Sequence, residues 1–383
     1  MIERNRAGWY RKNLSGDAEY KSFVPTVLPP DPKLVVDEEL LLLLSEAHRV
    51  LGILEGVSSQ IPDVDLFMAM YVRKEALMSS QIEGTQATLE DVLSPEIDKN
   101  ANRDVRDVVN YVSAMEIAIE LLQKLPLCCR LMRNIHAVLM KDTRGNEKYP
   151  GEFRRTQNWI CGAGSTLQTA RYIPPNVEDM QDSMSELEKY INEYEGTDEL
   201  IKVALIHYQF ETIHPFLDGN GRVGRLLIVL YLIEKGILTL PVLYISYYLK
   251  ANRIEYYDRM SEVRRSGNYE QWVKFFLHAI IVSSENAIET IKALSVLKAK
   301  DMGRVQTMGR ASKTVSMVLE YFERTSLATT RRVSEDLNLS YSTVSSAIKR
   351  LCDVEILHCG GKVFRGRAYY YKDYLDILRN GTE

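Results

Sequence analysis

The residues best suited to chemistry lie in one short stretch, which reads H-P-F-L-D-G-N-G-R-V-G-R from His214 to Arg225. His214 can exchange a proton near neutral pH, so we predict that it acts as a general base. Asp218 supplies hard carboxylate oxygens, which suit Mg²⁺ bound together with phosphates better than they suit zinc. Arg222 and Arg225 offer planar, permanently charged donors to phosphate oxygens. Together these residue types favour attack on a phosphorus centre of a nucleotide.

Two glycines make the centre of this stretch a turn that a phosphate can approach closely. Gly219 and Gly221 let the backbone bend sharply, and apolar spacing predicts one helix before His214 and another from about Arg222. The free N–H groups at the start of the second helix point back into the turn and form an anion site. The backbone groups predicted to hold phosphate oxygens are those of Gly219, Asn220, Gly221 and Arg222.

Each of these residues, taken singly, has a plain structural explanation. A lone histidine beside a helix is usually structural, and a lone D-G-N-G is usually just a turn. His207, on the preceding helix, is accordingly predicted to be a core or helix-face residue. The combined pattern favours a functional site, because no packing requirement calls for all these polar types within twelve residues.

Composition describes an ordinary globular chain of two or three domains. The 383 residues are 45% apolar and 26% charged, with 48 Lys and Arg against 52 Asp and Glu. No overall basic charge indicates nucleic acid, and the odd set of five cysteines favours reduced thiols over a disulfide scaffold. Neither C-x-x-C nor H-E-x-x-H occurs, so a zinc site has no support. The start lacks the apolar core of a signal peptide and the apolar runs are too short to span a bilayer, which predicts a cytoplasmic protein.

The pattern along the chain predicts a mainly α-helical fold. Residues 1–36 contain several prolines and are predicted to be an extended lead-in to a helical region that ends near residue 95. A helical core follows over residues 96–297, with separate helices at 269–282 and 288–297. The polar stretch 298–310 is predicted to be a linker.

One segment of the core differs from its helical surroundings. Residues 151–175 place Trp159, Ile160, Tyr172 and Ile173 on either side of a glycine-rich centre. This arrangement predicts a β-hairpin. The residues by themselves favour a surface loop equally.

The last segment, residues 311–383, is predicted to be a separate small domain. Two helices are followed by a third that Ser340 caps, with Val344, Ile348 and Leu351 facing inward, and by a hairpin over 358–371. Three helices and a basic hairpin resemble a winged helix–turn–helix domain. Residues 340–372 carry six Lys and Arg against two acidic residues, which predicts DNA as a partner. Protein–protein contact is the alternative use of such a domain.

The central stretch resembles the signature of the Fic family, H-P-F-x-D-G-N-G-R-x-x-R, at every fixed position. Fic proteins mostly transfer AMP from ATP to a hydroxyl of a target protein. The resemblance implies a Fic-type helical core in which His214 deprotonates the target Tyr, Thr or Ser and Asp218 holds Mg²⁺. Phe216 would anchor the loop in the core, and residues 151–175 would be the flap on which the target segment docks by strand addition. The nucleotide-binding residues implied are Gly219, Asn220, Gly221, Arg222, Val223, Gly224, Arg225 and, less securely, Tyr257 beside Tyr256.

A second match lies upstream. Residues 79–84 read S-S-Q-I-E-G and resemble the family's N-terminal inhibitory-helix pattern, [S/T]-x-x-x-E-[G/N]. The resemblance implies that Glu83 pairs with Arg225, with Ser79 as the first residue of the motif. Such a pair would remove the partner of the ATP γ-phosphate and leave the α-phosphate poorly aligned for attack. The sequence therefore predicts an autoinhibited protein adenylyltransferase.

The alternative function is a DNA-binding transcriptional regulator whose Fic core senses nucleotide. The complete motif favours the enzyme, because a sensor alone would not need His214. A different nucleotide donor and removal of AMP remain open, as does the identity of the target. The helical N-terminal surface is compatible with a homodimer.

Overall fold

The computed structural model describes residues 4–14, 16, 19–58, 64–93, 103–142, 148–160, 166–325, 327–363 and 366–379. Helices dominate these residues, as the sequence predicts. The helices of the first two thirds are α1 (Glu38–Ser58), α2 (Val64–Ile82), α3 (Leu89–Leu93), α4 (Arg103–Leu122), α5 (Cys129–Leu139), α6 (Val177–Glu193), α7 (Glu199–Ile213) and α8 (Asn220–Glu234). Those that follow are α9 (Ser246–Ala251), α10 (Arg253–Ser266), α11 (Tyr269–Gln306), α12 (Ser312–Thr325), α13 (Thr330–Asp336), α14 (Tyr341–Asp353) and α15 (Lys372–Arg379). The predicted domain boundary at 95/96 lies outside the described residues.

The core is built on two helices that meet at the motif. In α7 every residue after Glu199 is buried, and α8 is buried from Arg222 to Leu232. A helix that is apolar on all sides belongs in a protein interior, and these two pack against each other. Helix α7 also packs against α6 and α11, while α8 packs against α2, α4 and α5. The short connection between α7 and α8 is the predicted turn, so two buried helices hold both of its ends.

The N-terminal region is not the extended lead-in that the sequence predicts. Strands β1 (Arg4–Asn5), β2 (Gly8–Asn13) and β3 (Tyr20–Pro25) form an antiparallel sheet in that order. The sequence hides this sheet because the residues of β2 do not alternate between buried and exposed: Gly8 is buried, and Tyr10, Arg11 and Lys12 are all exposed.

The predicted linker is also wrong, since α11 continues unbroken to Gln306 and includes the helices predicted separately at 269–282 and 288–297. Contacts with the last part of the chain hold this extension in place. Asp301 is buried and accepts a hydrogen bond from the Tyr371 hydroxyl at 2.6 Å. Lys298 pairs with the buried Glu323 at 2.9 Å. Tertiary contacts of this kind override the weak preference of a polar, glycine-containing stretch.

The last part of the chain has the predicted elements. After α12 come β4 (Leu327–Thr329), α13, α14, β5 (His358–Val363) and β6 (Gly366–Tyr370), and the strands form a sheet in the order β4-β6-β5. Ser340 caps α14 by accepting from the Thr343 N–H, and the positions predicted to face inward, Val344, Ile348 and Leu351, are buried. Helix α12 packs against α2. The winged-helix interpretation of these elements stays a prediction.

The predicted flap contains one antiparallel bridge, between Ile160 and Tyr172. Its glycine-rich centre, 161–165, lies outside the described residues. The second arm also touches the N-terminal sheet, because the Phe23 N–H donates to the Ile173 carbonyl at 2.9 Å. None of the described helices is long and apolar enough to cross a membrane.

Candidate active site

His214 is the C-terminal cap of α7 and has a left-handed backbone, with φ 51° and ψ 61°. Its N–H still donates to the Phe210 carbonyl at 2.9 Å. This conformation is uncommon for a residue other than glycine and persists where the surroundings fix it. Pro215 follows and helps to end the helix. The side chain is half-buried, so the turn presents the imidazole at the surface of the core.

The hydrogen bonding of the His214 ring shows which of its two nitrogens carries the proton. Nδ1 lies 3.3 Å from the Glu211 carbonyl and donates to it, which leaves Nε2 as the acceptor. Burial, with a smaller contribution from the nearby Arg154 guanidinium, lowers the pKa of His214 to about 4. The ring is therefore neutral at pH 7 and able to accept a proton.

Several buried polar groups fix the backbone of the turn. The Arg154 guanidinium donates to the His214 carbonyl at 3.1 Å, and the Asn158 amide donates to the Phe216 carbonyl at 2.9 Å. The Asn220 side chain accepts from the Phe216 N–H and donates to the Phe216 carbonyl, both at 2.8 Å. The side-chain amide of Asn220 therefore stabilises the backbone of the turn, whereas the sequence suggested that this residue contacts phosphate.

His136 is a residue that the sequence analysis missed. Its ring stacks on Phe216, with centroids 3.8 Å apart and planes 7° apart. The Gly151 N–H donates to Nδ1 at 2.8 Å, so Nε2 carries the proton and donates to the Asp218 carbonyl at 3.0 Å. Burial lowers the pKa of His136 to about 4. A neutral His136 therefore joins the start of the flap to the motif, and no local signal marks it.

Asp218 stands at one end of the turn and is partly exposed. Its carboxylate receives the Lys148 ammonium at 2.9 Å and the Gly219 N–H at 2.7 Å. Burial alone would raise the pKa of Asp218, but the Lys148 ammonium outweighs it and the pKa lies below its ordinary value. Gly219 has φ +74°, and a Cβ there would lie 2.8 Å from the Met140 sulfur. Only glycine fits that position.

Arg225 stands at the other end and is buried. Its Nε donates to Ser79 Oγ at 2.8 Å, and its Nη2 donates to the Ser79 carbonyl at 2.9 Å and to Glu83 Oε1 at 2.8 Å. Glu83 follows α2 directly, and Gly84 has the left-handed φ, +99°, of a helix C-terminus. The structure brings together the two regions that the sequence analysis paired, across 142 positions of the chain.

The Glu83 carboxylate lies over the first turn of α8. A Cβ placed on Gly221 would overlap Glu83 Oε1 and would lie 3.0 Å from an Arg225 nitrogen. The first N–H groups of a helix have no carbonyl partner within it and attract negative charge. The chain's own carboxylate therefore sits where the turn is suited to an anion.

Two further carboxylates surround Arg225, and sequence reasoning missed both. Glu75, on α2, accepts from the Ser246 hydroxyl and N–H and from the Tyr111 hydroxyl at 3.3 Å. Glu211 is 7% exposed, and its Oε1 has no hydrogen-bond partner among the described residues. Burial raises the pKa of each of the two acids to about 7, against the pull of Arg225.

The remaining predicted residues divide between the turn and the core. Arg222 is buried and pairs with Asp107 at 3.2 Å, while Val223 is wholly buried. The Gly224 carbonyl accepts from His207, so that histidine is a core residue, as predicted. Tyr257 lies near the Arg225 end, where burial and the Glu83 carboxylate raise its pKa to about 12.

The described residues contain no group of three or more His, Cys, Asp or Glu side chains that could hold a metal ion. Within the stretch 214–225, which the structure describes in full, Asp218 is the residue with a carboxylate side chain. A single carboxylate fits Mg²⁺ that completes its coordination with phosphate oxygens and water. Lys148 already places a positive charge on that carboxylate, so the position suits a cation.

Comparison with protein families gives two matches. The model described as "Fic/DOC family N-terminal" covers residues 41–120, which include Ser79 and Glu83. The model described as "Fic/DOC family" covers residues 126–232, which include the whole turn. The two halves of the site thus fall within two models of one family.

Curated relatives and solved structures agree with these matches. The chain is 35% identical over 127 residues to "Protein adenylyltransferase Fic" of Culex quinquefasciatus, which is 33% of this chain and 22% of that protein. It is 28% identical over 254 residues to the protein of the same name from Drosophila virilis, which is 63% of this chain and 47% of the other. The alignments therefore span less than half of these relatives. A Fic family protein from Desulfovibrio desulfuricans G20 has the same fold, with a TM-score of 0.58 at 18% identity over 88% of this chain and 97% of that one.

Proposed function

Since the chain belongs to the Fic/DOC family, we propose that it is a protein adenylyltransferase that moves AMP from ATP to a Tyr, Thr or Ser hydroxyl. Its curated relatives are named protein adenylyltransferase Fic, which supports a nucleotidyltransferase at the level of the family. We further propose that Glu83 holds the enzyme in an inhibited state.

The observation that carries the proposal is the position of the Glu83 carboxylate. It bonds Arg225 at 2.8 Å and lies against Gly221 at the start of α8. A carboxylate, which is negatively charged like a phosphate, thus occupies the anion site of the turn. ATP bound beside it would lack the Arg225 contact, and its α-phosphate would be poorly aligned for in-line attack.

His214 supplies the general base. Its neutral ring accepts the proton of the target hydroxyl at Nε2, while the bond from Nδ1 to the Glu211 carbonyl keeps the ring oriented. The hydroxyl oxygen forms a bond to the α-phosphorus as the bond from that phosphorus to the β-bridging oxygen breaks. The products are an AMP ester of the protein and diphosphate.

The turn neutralises the phosphates during this step. The N–H groups of Gly221 and its neighbours and the freed Arg225 guanidinium bind phosphate oxygens. Asp218 would hold Mg²⁺, which neutralises charge on the phosphate oxygens and the leaving diphosphate when bound. Lys148 must then leave the Asp218 carboxylate.

The target segment is proposed to add as a strand to the flap. Tyr172 already pairs with Ile160, and Ile173 already receives a hydrogen bond from Phe23. The second arm therefore has neighbours on both sides at this point. We propose that the target adds to the outer edge of the first arm, next to Trp159 and Ile160.

Labelling with ATP tests the function. The Glu83→Gly variant is incubated with Mg²⁺ and ATP labelled at the α-phosphate, alongside the Glu83→Gly/His214→Ala double variant and the wild type. We expect covalent label on the first protein and none on the second, because the second lacks the base. ATP labelled at the γ-phosphate should label neither.

The outcomes separate the two parts of the proposal. Label from the γ-phosphate, or label that persists without His214, would contradict AMP transfer by this site. Equal labelling of wild type and Glu83→Gly would leave the activity standing and remove the inhibition.

DNA binding by the proposed domain 311–383 is the second candidate. Helix α14 exposes Ser342, Thr343, Ser346, Lys349 and Arg350 on one side and buries Val344, Ile348 and Leu351 on the other. An exposed polar face with two cations is suited to phosphate contacts. A gel-shift assay at rising salt would show binding that weakens steadily if such contacts exist. Binding unaffected by the double substitution Lys349→Ala/Arg350→Ala would exclude this face.

A further inference from the structure

A cavity of about 290 Å³ lies apart from the turn, between the N-terminal sheet and α6. Its apolar wall includes Trp9, Val24, Pro25 and Leu28, and Leu187 closes it from the helix side. Small-molecule pockets usually measure about 300–1,000 Å³. This cavity is at the small end of that range and suits one long side chain better than a nucleotide.

The opposite wall is a stripe of acceptors on α6. Asp179, Asp182 and Glu186 line the cavity, and their spacing of three and four residues places them on one helix face. Among the described lining residues the only cation is Arg11, whose Nη2 bonds Asp179 Oδ1 at 3.1 Å. Lys189, which lies outside the lining, pairs with Glu186 at 2.6 Å, so Asp182 is the lining carboxylate that has no ion pair among the described residues. The cavity is therefore weakly negative and disfavours phosphates and other anions.

Two buried acceptors in this cavity lack donors among the described residues. Asp179 is 8% exposed and its Oδ2 has no hydrogen-bond partner. Gln209 is 3% exposed and its amide N–H₂ donates to the Thr26 carbonyl at 2.8 Å, but its Oε1 has no partner. Buried polar atoms are nearly always hydrogen-bonded, and an unpaired one is costly. These oxygens require a donor.

We propose that this cavity binds a basic side chain, Arg or Lys, of a protein segment. An aliphatic stem packs against the apolar wall, and the cationic head donates to Asp179 Oδ2 and Gln209 Oε1. Arg11 holds the other oxygen of Asp179, which leaves Oδ2 for the incoming group. Asp182 adds negative charge beside the head, whereas Glu186 already pairs with Lys189.

The cavity adjoins the flap, which indicates where the segment comes from. Helix α6 starts directly after the second flap arm, and Asn176 donates to Asn13 of β2 at 3.1 Å. Phe23 of β3 bonds Ile173 of the same arm. A protein that docks on the flap can therefore place a basic residue in the cavity. This source rests on the proposed function, whereas binding of the side chain does not.

The test is calorimetric titration of the full-length protein, without ATP, with N-acetyl-arginine methylamide and N-acetyl-lysine methylamide. The blocked norleucine and glutamate compounds are the apolar and anionic controls. We expect one or both basic compounds to bind and neither control to bind. In Asp179→Asn the affinity should fall by about tenfold or more, because a charge-assisted bond is lost. Glu178→Gln, at an exposed position of α6 outside the cavity lining, is the matched control and should change the affinity by less than about threefold.

Several outcomes would overturn the proposal. Norleucine that binds as well as arginine would make this a purely apolar groove, and equal losses in the two variants would mean diffuse attraction only. If neither basic compound binds, the proposal is wrong, and water fills the cavity and bonds the two buried oxygens. Free arginine or 1,4-diaminobutane that binds while the blocked compounds do not would indicate a metabolite site. If Asp179→Asn melts early, Gln209→Leu provides the second test and should weaken binding in the same direction.

These results are independent of AMP transfer. Titration succeeds or fails whatever the labelling experiment shows, because it needs neither ATP nor His214. If labelling of Glu83→Gly fails and the basic compounds bind, the cavity stands and the enzymatic proposal falls.

Discussion

The turn from His214 to Arg225 has an ion pair at each end, and the two pairs differ sharply in burial. At one end Lys148 and Asp218 meet at 2.9 Å with side chains 42% and 39% exposed. At the other, Arg225 and Glu83 meet at 2.8 Å with side chains 1% and 38% exposed. In each pair the chain supplies the charge that a ligand would bring: a cation in place of a metal ion, and a carboxylate in place of a phosphate.

This difference indicates which end of the turn would carry the proposed inhibition. An exposed ion pair contributes about 0–1 kcal/mol and exchanges readily with solvent ions. A buried arginine must keep its partners, because an uncompensated charge in the interior is costly. Arg225 has Ser79, Glu83 and the nearby Glu75 and Glu211. The Arg225 end is therefore built into the core, whereas the Asp218 end is open to exchange.

The largest expected effect is on stability, in Arg225→Met compared with Asp218→Asn. Loss of the guanidinium leaves buried carboxyl groups without their cation and should lower the free energy of unfolding by about 3–5 kcal/mol. The Asp218→Asn variant keeps an acceptor oxygen for the Gly219 N–H, so it should lose less than about 1 kcal/mol. Urea unfolding at pH 7.5 measures both. Equal losses would mean that the two ends do not differ as their burial suggests.

The pH dependence of stability sharpens the same contrast. Glu211 has a pKa of about 7 in the folded protein against an ordinary value of 4.5. A raised folded pKa gives stability that is present below pH 4.5 and is lost as pH rises through 7. Relative to Glu211→Gln, the wild type should therefore lose about 3 kcal/mol of unfolding free energy between pH 4.5 and pH 8.

Denaturant unfolding at a series of pH values measures this difference, and the comparison of two proteins cancels the histidines that both retain. Glu120→Gln, on an exposed position of α4, is the control for loss of a carboxylate as such. If the unfolding free energies of the wild type and Glu211→Gln change in parallel over this pH range, the pKa of Glu211 is not raised in the folded protein.

The part of this site that can be predicted from the sequence depends on how far apart along the chain the contacting residues lie. Three features follow from motifs that are read locally or matched to a family: the turn with its glycines, the Ser340 cap of α14, and the pairing of Glu83 with Arg225. Glu75 meets Ser246 across 171 positions, and His136 meets Asp218 across 82. A glutamate or histidine on a helix carries no mark of such a partner, so both were missed.

The fold follows the same rule. The helices of the core were predictable from apolar spacing. The sheet over 4–25 was not predictable, since β2 lacks an alternating pattern of buried and exposed residues. The extension of α11 was not predictable either, because Asp301 and Tyr371 hold it through a contact between distant parts of the chain.

The next prediction concerns the proposed block of the anion site by Glu83, which could act through its charge or through its volume. Glu83→Gly removes both and should raise the rate of AMP transfer by about 10- to 100-fold, which corresponds to about 1.4–2.7 kcal/mol. Glu83→Gln keeps the volume over Gly221 and a weaker bond to Arg225, so its rate should lie between wild type and Glu83→Gly. Initial rates of self-labelling decide. A Gln variant as fast as Gly would assign the block to charge alone, and one as slow as wild type would assign it to volume.

The smallest expected effect is at the exposed end, in Lys148→Met. This change keeps the aliphatic stem and removes the ammonium that Mg²⁺ must displace from Asp218. Because the pair is exposed, we expect the affinity for Mg²⁺ in the presence of ATP to rise by less than about fivefold, equivalent to at most about 1 kcal/mol. This gain in affinity should become smaller at about 0.5 M salt, which screens exposed charges. The gain in the rate of AMP transfer in Glu83→Gly should persist at the same salt concentration. Titration with Mn²⁺ followed by electron paramagnetic resonance measures the affinity without turnover. A rise of about a hundredfold, or one indifferent to salt, would show that Lys148 closes its end of the turn as firmly as Glu83 closes the other.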